Sequence, residues 1–247
     1  MNIAICIPTK RLVSFRWCSA LLSLVMKTME KHTVFLFYSE QFQIDLARTD
    51  LVQKVLNMTE LYPGKEGPEE RPMDMDYLFF LDDDVRCPPY TINLLVSLLE
   101  DKPNRKVASG IYPALKLDTK EIFPAVFDFL FDGSITPTRI DPEKMGLVDA
   151  DMVGLGCCLI KTEVFREITD SWFSYLSVVS GSGSFVHGED YFFFKQMQKY
   201  FPGHKVLVDS SIWCVHEKGI DLNRGHMNGD LFGGLATLDK KEVKLDG

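Results

Sequence analysis

The densest group of reactive side chains in the sequence is Asp82-Asp83-Asp84, which directly follows the apolar run Tyr77–Leu81. Residues i and i+2 of an extended segment face the same way, so the carboxylates of Asp82 and Asp84 can converge. Adjacent carboxylates repel one another unless a cation offsets their charge, and Mn²⁺ and Mg²⁺ prefer oxygen ligands. The spacing predicts a divalent-cation site, against the alternative of a polar loop that caps the next helix.

A second acidic pair, Glu189-Asp190, begins a stretch with helical periodicity that runs to Phe201. Acidic residues in the first turn of a helix are favoured by the helix dipole, which is the simpler interpretation. The alternative is catalytic, with one of the two carboxylates taking a proton from an acceptor hydroxyl as a general base.

A single histidine, His216, follows the short apolar run Ile212–Val215. Together with Asp82 and Asp84 it would complete a site of two carboxylates and one imidazole, a donor set that suits Mn²⁺. The alternative is a structural histidine, which is the commoner role of an isolated one.

Phosphate groups would have to be bound without a glycine-rich loop, because the sequence has neither a Gly-x-Gly-x-x-Gly nor a Walker A pattern. The first apolar run ends in Pro8-Thr9-Lys10, which offers a rigid turn, a hydroxyl and a cation. Arg48 is a further candidate, and a position on a solvated helix face is its alternative.

The elements that must position these residues follow from hydrophobic periodicity. In the first half, the pattern predicts strands over 3–7, 34–38 and 77–81 and helices over 14–31, 44–58 and 88–99. This alternation is typical of a parallel α/β sheet, whose ligand sites lie at the carboxyl ends of its strands.

After Val107 the pattern changes to strands with few helices between them. Strands are predicted over 107–112, 123–131, 147–149, 156–160, 205–209 and 212–215, with helices over 161–168 and 189–201. Segments 62–75 and 171–187 are predicted to be irregular. We predict one domain over 1–218, made of a parallel α/β half (1–105) and a mixed-sheet half (106–218), with a C-terminal tail over 219–247.

Composition excludes several classes of protein. The 247 residues include 27 basic and 35 acidic ones, a net charge of -8, which argues against non-specific nucleic-acid binding. The six cysteines form no Cys-x-x-Cys pair, which argues against a zinc framework or a secreted disulfide scaffold. The sequence shows no signal-peptide pattern and no apolar run near the roughly 20 residues of a membrane-spanning helix. We therefore expect a soluble, cytoplasmic protein.

In their order and spacing these motifs resemble the A-type glycosyltransferase fold, in the large family 2 group of nucleotide-sugar transferases. The resemblance covers residues 2–218 and rests on the following segments: Ile7-Pro8-Thr9, Ile44–Arg48, Tyr77–Val85, Asp151–Phe165, Gly188-Glu189-Asp190-Tyr191 and His216. It implies a Rossmann-like, mostly parallel sheet that forms a nucleotide-binding half, followed by a mixed-sheet acceptor half.

The resemblance also implies a role for each matching residue. Asp82, Asp84 and His216 would bind Mn²⁺ or Mg²⁺, Asp83 would face the donor sugar or ribose, and Asp190 would activate the acceptor with Glu189 beside it. Pro8, Thr9, Lys10, Arg48, Asp82, Asp83 and Lys218 would bind the nucleotide sugar. Glu40 is only a partial match to the acid that reads the base in many members. The base therefore stays open, with UDP- and GDP-sugars as the favoured donors.

The implied activity is metal-dependent transfer of a sugar from a nucleotide-diphosphate sugar to a hydroxyl of a carbohydrate or other acceptor, with inversion. A retaining transferase is one alternative. A sugar-nucleotide nucleotidyltransferase is another, although residues 10–14 lack the glycines of its loop. A non-catalytic nucleotide-sugar-binding protein is the third, and the presence of Asp82, Asp84, Asp190 and His216 in one chain argues against it.

Overall fold

A computed structural model of the chain describes residues 1–9, 12–63, 68–116, 121–141, 145–180, 183–218 and 221–222. Its helices are α1 (Phe15–Met29), α2 (Ile44–Leu56), α3 (Thr91–Asp101), α4 (Glu163–Glu167) and α5 (Glu189–Tyr200). The strands of the first half are β1 (Asn2–Pro8), β2 (Thr33–Ser39), β3 (Thr59–Pro63), β4 (Pro68–Pro72), β5 (Tyr77–Leu81) and β6 (Val85–Arg86). The strands of the second half are β7 (Val107–Ile111), β8 (Pro113–Lys116), β9 (Glu121–Pro124), β10 (Val126–Phe129), β11 (Ile135–Pro137), β12 (Leu147–Ala150), β13 (Met152–Val153), β14 (Cys157–Lys161), β15 (Leu176–Ser180), β16 (Gly183–His187), β17 (Val206–Trp213), β18 (Val215–Glu217) and β19 (Asp221–Leu222).

Seven strands form the central sheet, in the order β12-β17-β7-β14-β5-β1-β2. Strands β2, β1 and β5 run parallel, β14 is antiparallel to both of its neighbours, and β12 is antiparallel to β17. The predicted α/β class is confirmed, with one large sheet of parallel and antiparallel strands. Because β14 lies between β5 and β7, strands from before and after residue 105 share one sheet.

Helices cover the parallel part of the sheet on both faces. Strands β1 and β5 are buried along almost their whole length, as expected for central parallel strands. Leu51 and Val55 of α2 pack on one face, and Trp17 of α1 and Leu95 of α3 pack on the other. The apolar cores therefore lie above and below the sheet, and the polar residues emerge at the ends of its strands.

Helix α1 begins where the sequence predicts. The Ser14 hydroxyl accepts a hydrogen bond from the Trp17 backbone N–H at 2.9 Å, which caps the helix. The indole N–H of Trp17 then donates to the carbonyl oxygen of Asp82 at 3.0 Å. The start of α1 is thereby joined to the loop that follows β5.

Two segments predicted to be irregular contain antiparallel hairpins instead. In the segment 62–75, β3 pairs with β4, and residues 64–67 lie outside the described part of the chain. Pro63 faces Pro68, and Thr59 faces Pro72. A two-stranded ribbon tolerates these prolines because, among the described strands, its outer edges pair with no further strand. In the segment 171–187, β15 pairs with β16, and residues 181–182 are outside the described part.

Two strand boundaries also differ from the prediction. The predicted strand over 123–131 is divided into β9 and β10, because β9 ends at Pro124. The strand predicted over 205–209 continues to Trp213 as β17, whose register shifts between Val208 and Trp213, and Val215 of the strand predicted over 212–215 belongs to β18. Within the described residues, no helix is long and apolar enough to cross a membrane.

Candidate functional site

The carboxyl ends of β1 and β5 open into a cavity of about 250 Å³. Helix α2, the N-terminus of α5 and the residue after β18 complete its wall. Its lining residues are Pro8, Thr9, Gln41, Phe42, Ile44, Ala47, Arg48, Asp82, Asp83, Asp84, Tyr112, Leu155, Glu189, Asp190 and Lys218. The cavity therefore lies where open α/β sheets bind ligands.

Arg48 of α2 lies at the centre of the acidic residues. Its side chain is almost fully buried and donates to Asp82 Oδ1 at 2.7 Å and to Glu189 Oε1. Burial alone lowers the pKa of Arg48, but the charges of Asp82 and Glu189 more than offset this and raise it. The alternative prediction, which placed Arg48 on a solvated helix face, is therefore wrong.

The backbone fixes the position of the three aspartates. The Asp82 N–H donates to Gly156 O at 3.3 Å, and the Val85 N–H donates back to Asp82 O at 3.1 Å, closing a tight turn. The Glu217 N–H donates to Asp84 O at 2.7 Å. The acidic loop is therefore tied to β14 on one side and to β18 on the other.

Asp84 contacts both polar residues of the β18 segment. Its Oδ1 lies 3.3 Å from His216 Nε2, and its Oδ2 accepts from Lys218 Nζ at 2.5 Å. Burial raises the pKa of Asp84, but the hydrogen bonds from His216 and Lys218 lower it to about 2. The carboxylate of Asp84 is therefore ionised throughout the physiological range.

The orientation of His216 bears on whether a cation fits beside Asp84. His216 Nδ1 lies 2.7 Å from the carbonyl oxygen of Pro113, which can only accept, so Nδ1 carries a hydrogen. Nε2 then faces a carboxylate, and this contact is favourable only with a proton on Nε2 or a cation between the two groups. A carbonyl that fixes the ring in this way is usual for a histidine that ligates a metal. Asp84 and His216 therefore fit a divalent cation.

Asp82, the third expected ligand, is not assembled with the other two. Its Oδ1 is bound to Arg48, and the three residues do not each place a ligand atom within 4.8 Å of the others. Asp84 and His216 could together hold a cation, whereas Asp82 is held by the buried guanidinium.

The two acids at the start of α5 differ in their surroundings. Glu189 is 8% exposed and is paired with Arg48. Asp190 lines the cavity, and its Oδ1 accepts from the Tyr191 backbone N–H at 2.8 Å. Burial raises the pKa of both carboxyls, although the charge of Arg48 lowers it. The structure thus pairs Glu189 with a cation and presents Asp190 to the cavity at a helix N-terminus.

Tyr112 lines the cavity and two glycines pack against Tyr112 and Asp82, which sequence reasoning missed. The Tyr112 ring lies edge-on to His216, with 5.2 Å between ring centroids. A Cβ on Gly154 would overlap the Tyr112 hydroxyl, and one on Gly156 would lie 2.9 Å from Asp82 Oδ2. The Gly-x-Gly spacing in the 151–165 block was the available signal, since it marks close approach of side chains to the backbone.

The described lining residues carry five carboxylates and two cations. When all are ionised, the cavity has an excess of negative charge. A phosphate ligand would be repelled here unless a further cation entered with it.

The structure brings most of the predicted site residues to this one cavity. Pro8, Thr9, Arg48, Asp82, Asp83, Asp84, Glu189, Asp190 and Lys218 line it, and His216 lies behind Asp84. Lys10 lies outside the described residues. Gln41 and Phe42, which precede α2, were not predicted, and the Phe42 side chain is 98% exposed at the cavity.

Comparison with known proteins gives a likeness of fold. No protein-family model matches the chain, and no curated protein matches its sequence. The crystal structure of A197 from STIV matches with a TM-score of 0.53 at 17% identity, over 87% of this chain and 85% of that one. S. aureus TarS, crystallised in complex with UDP-GlcNAc, matches with a TM-score of 0.42 at 13% identity, over 85% of this chain and 56% of that one. The likeness to A197 shows a shared α/β fold, and membership of glycosyltransferase family 2 stays a prediction.

Proposed function

We propose that the protein is a glycosyltransferase that moves a sugar from a nucleotide-diphosphate sugar to an acceptor hydroxyl. The observation that carries the proposal is the cavity itself. It joins the Asp82–Asp84 loop, Arg48 and Asp190 at the carboxyl ends of parallel strands. Together with a bound divalent cation, these groups could offset a diphosphate, orient a sugar and accept a proton, which are the three requirements of the transfer.

The donor would lie across the strand ends, from Thr9 to the acidic loop. The exposed ring of Phe42 and the side chain of Gln41 offer a stacking surface and a hydrogen-bonding group for the nucleoside. Asp83, between the two outer aspartates, would face the ribose or the sugar. UDP- and GDP-sugars are the first donors to test.

A divalent cation, Mn²⁺ or Mg²⁺, would supply Lewis-acid stabilisation of the leaving diphosphate. Asp84 and His216 would hold it, with Asp82 joining them if its carboxylate turns from Arg48. Lys218, which contacts Asp84 Oδ2 here, would then be available to a phosphate oxygen. The excess of carboxylates in the cavity supports this dependence, because a diphosphate alone would meet net negative charge.

Asp190 is the general base in this proposal. Its carboxylate takes the proton of the acceptor hydroxyl as the acceptor oxygen bonds to the anomeric carbon. The bond from that carbon to the diphosphate breaks, and the nucleotide diphosphate leaves with the electron pair. A single displacement of this kind inverts the anomeric centre. Because Arg48 binds the carboxylates of Glu189 and Asp82, Asp190 is the acid that we expect to contact the acceptor hydroxyl.

The test is a donor-hydrolysis and transfer assay with a panel of UDP-, GDP-, CMP- and dTDP-sugars, with Mn²⁺ and with excess EDTA. Release of nucleoside diphosphate that requires the metal supports the proposal. Release of pyrophosphate from a sugar phosphate and a nucleoside triphosphate would identify a nucleotidyltransferase instead. Donor binding with no turnover for any acceptor would favour a binding protein.

The configuration of the product separates inversion from retention. NMR of the newly formed glycosidic bond reports its anomeric configuration directly. Inversion is expected from one base and one displacement, and a retained configuration would contradict the proposed role of Asp190.

A further inference from the structure

Three cysteines that are far apart in the sequence meet in the structure. Cys87, Cys157 and Cys214 place their sulfur atoms within 4.8 Å of one another. The Cys87 and Cys214 sulfurs are 3.3 Å apart, and both thiols hydrogen-bond Cys157. We call these residues the cysteine cluster. The absence of Cys-x-x-Cys spacing in the sequence carried no information about this long-range contact.

The cysteine cluster is enclosed by the fold. Cys87 follows β6, Cys157 begins β14 and Cys214 separates β17 from β18, and all three side chains are buried. They belong to the same apolar core as α1 and α3. Sulfur ligands at about 2.3 Å from a central ion lie roughly 4 Å from one another. The spacing of the cluster is close to this arrangement.

Packing around the cluster brings the backbone close to it. A Cβ on Gly110 would lie 3.0 Å from Cys157 Sγ and 2.7 Å from Ile212 Cγ2. The Gly110 backbone N–H donates a hydrogen bond to Cys157. Backbone donors of this kind stabilise thiolate sulfur, and a thiolate is the form that ligates a metal.

We propose that Cys87, Cys157 and Cys214 form a buried structural site for one thiophilic metal ion, Cu(I). Thiolate ligands select soft ions such as Cu(I) and Zn(II) over Mg²⁺ or Mn²⁺. Structural Zn(II) is almost always bound by four ligands. Among the described residues, no histidine, aspartate or glutamate joins the three cysteines. A three-sulfur set without a fourth donor suits Cu(I), which accepts lower coordination numbers.

The position of the cluster gives the ion a structural task. Cys87 comes three residues after Asp84, Cys214 comes two residues before His216, and Cys157 follows Gly156, whose carbonyl accepts from Asp82. An ion bound by the three sulfurs would join the segments that carry the acidic loop and His216. Each thiol that ligates releases its proton to solvent, so binding weakens as the pH falls.

The test is competitive titration of the full chain, reduced and kept anaerobic, with Cu(I) supplied by a chromophoric chelator. We expect the wild-type chain to take one equivalent of Cu(I) from the chelator. The melting temperature of the protein should rise when the ion binds. Cys157→Ser, Cys87→Ser and Cys214→Ser should each weaken uptake by about 100-fold or more, because loss of an outer-shell partner alone costs 10- to 100-fold. The folded state of each variant is checked by circular dichroism beforehand.

Cys158→Ser is the matched control. Cys158 is also buried and adjoins Cys157 in β14, but its side chain belongs to the core on the other face of the sheet. It should leave uptake unchanged. A Cd(II) titration of the wild-type chain tests for sulfur ligation without any substitution. Binding is monitored through the ultraviolet absorbance of the thiolate–Cd(II) bonds. Failure of the wild type to take up Cu(I), or uptake that survives in folded Cys157→Ser, would overturn the site. Uptake of Zn(II) in preference to Cu(I) would overturn the assignment of the ion.

Discussion

At the scale of single residues, Arg48 determines what the neighbouring acids can do. Its guanidinium is buried between Asp82 and Glu189, and removing either carboxylate would leave a buried cation without one of its partners. Breaking such a pair by removing one side is strongly destabilising. In the proposed mechanism Arg48 therefore holds Glu189 as a structural acid, and the proton-transfer role falls to Asp190.

The first prediction concerns the base. Asp190→Asn keeps the shape of the side chain and an oxygen for the Tyr191 N–H, but it cannot take a proton. We expect the variant to fold, to bind the nucleotide nearly normally and to lose roughly 100-fold or more of the transfer rate. Transfer kinetics together with donor affinity measure this split between turnover and binding.

Glu189→Gln is the matched control, because it neutralises the adjacent acid and retains an oxygen that can accept from Arg48. We expect it to lower thermal stability while keeping more of the transfer rate than Asp190→Asn. If Asp190→Asn turns over near normally and Glu189→Gln is inactive, the two roles are exchanged.

The second prediction follows from the protonation of the base. Burial raises the pKa of Asp190 above the ordinary value of 3.8. The base works only when deprotonated, so the rate should decline on acidification at a higher pH than an ordinary aspartate would give. The acid limb of kcat/KM against pH checks this. A profile that stays flat down to pH 3.8 would contradict the assignment.

At the scale of elements, the central parallel strands and their helices could be predicted from the sequence, because β1 and β5 are apolar along their length and α1, α2 and α3 each bury apolar residues at helical spacing. The hairpin β3–β4 could not, because prolines are read as loop signals and only a two-stranded ribbon accommodates them. The acidic loop was predictable since it directly follows β5. The pairing of Arg48 with Glu189 was not, because those residues are 141 positions apart and meet only after folding.

The glycines before β14 were also visible in the sequence, but only the packing explains why a side chain is excluded at these positions. Gly154 adjoins the Tyr112 hydroxyl, and the Tyr112 ring lines the cavity and packs against His216. The cysteine cluster is a similar case, because its members come from three separate parts of the chain. Local spacing carries no information on such contacts, whereas the sheet order determines them.

The third prediction tests the packing at Gly154. Gly154→Ala would place a methyl group against the Tyr112 ring, and overpacking of this kind typically costs about 1–3 kcal/mol. We expect a lower free energy of unfolding and weaker donor binding, measured by denaturant titration and calorimetry. Gly146→Ala is the control, because a Cβ there meets nothing within 4 Å. Equal effects of the two substitutions would contradict the proposed contact.

At the scale of the whole molecule, stability depends on buried groups that acid would protonate. The pKa of His204 falls from its ordinary 6.5 to about 4, first because of burial and then because of the charges of Arg105 and Lys106. The unfolded chain therefore binds more protons than the folded chain between these two values. Stability contributed by neutral His204 is complete above pH 6.5 and is lost as the pH falls towards 4.

The fourth prediction is that the melting temperature falls as the pH is lowered from 6.5 to 4, and that His204→Gln reduces this fall. Scanning calorimetry of both proteins across this range measures the difference. Asp84 adds a second loss of stability at lower pH, because the pKa of its carboxyl is about 2 in the folded protein, below the ordinary 3.8. An unchanged pH dependence in His204→Gln would show that another group controls stability in the upper range.

The whole molecule also carries a net charge of -8, and its cavity is acidic, yet the proposed donor is an anion. Binding of the proposed donor therefore requires that a divalent cation enter with the nucleotide. This requirement can be measured without knowing the sugar or the acceptor.

The most direct test is calorimetric titration of the protein with UDP and with GDP, in Mn²⁺ and in excess EDTA, repeated with Asp84→Asn. We expect one nucleotide to bind in Mn²⁺ and its binding to weaken by at least about tenfold in EDTA, a change of about 1.4 kcal/mol. Asp84→Asn should show similarly weak binding in both buffers. Tight binding of a nucleoside diphosphate in EDTA, unchanged by Asp84→Asn, would contradict the proposed metal-dependent donor site.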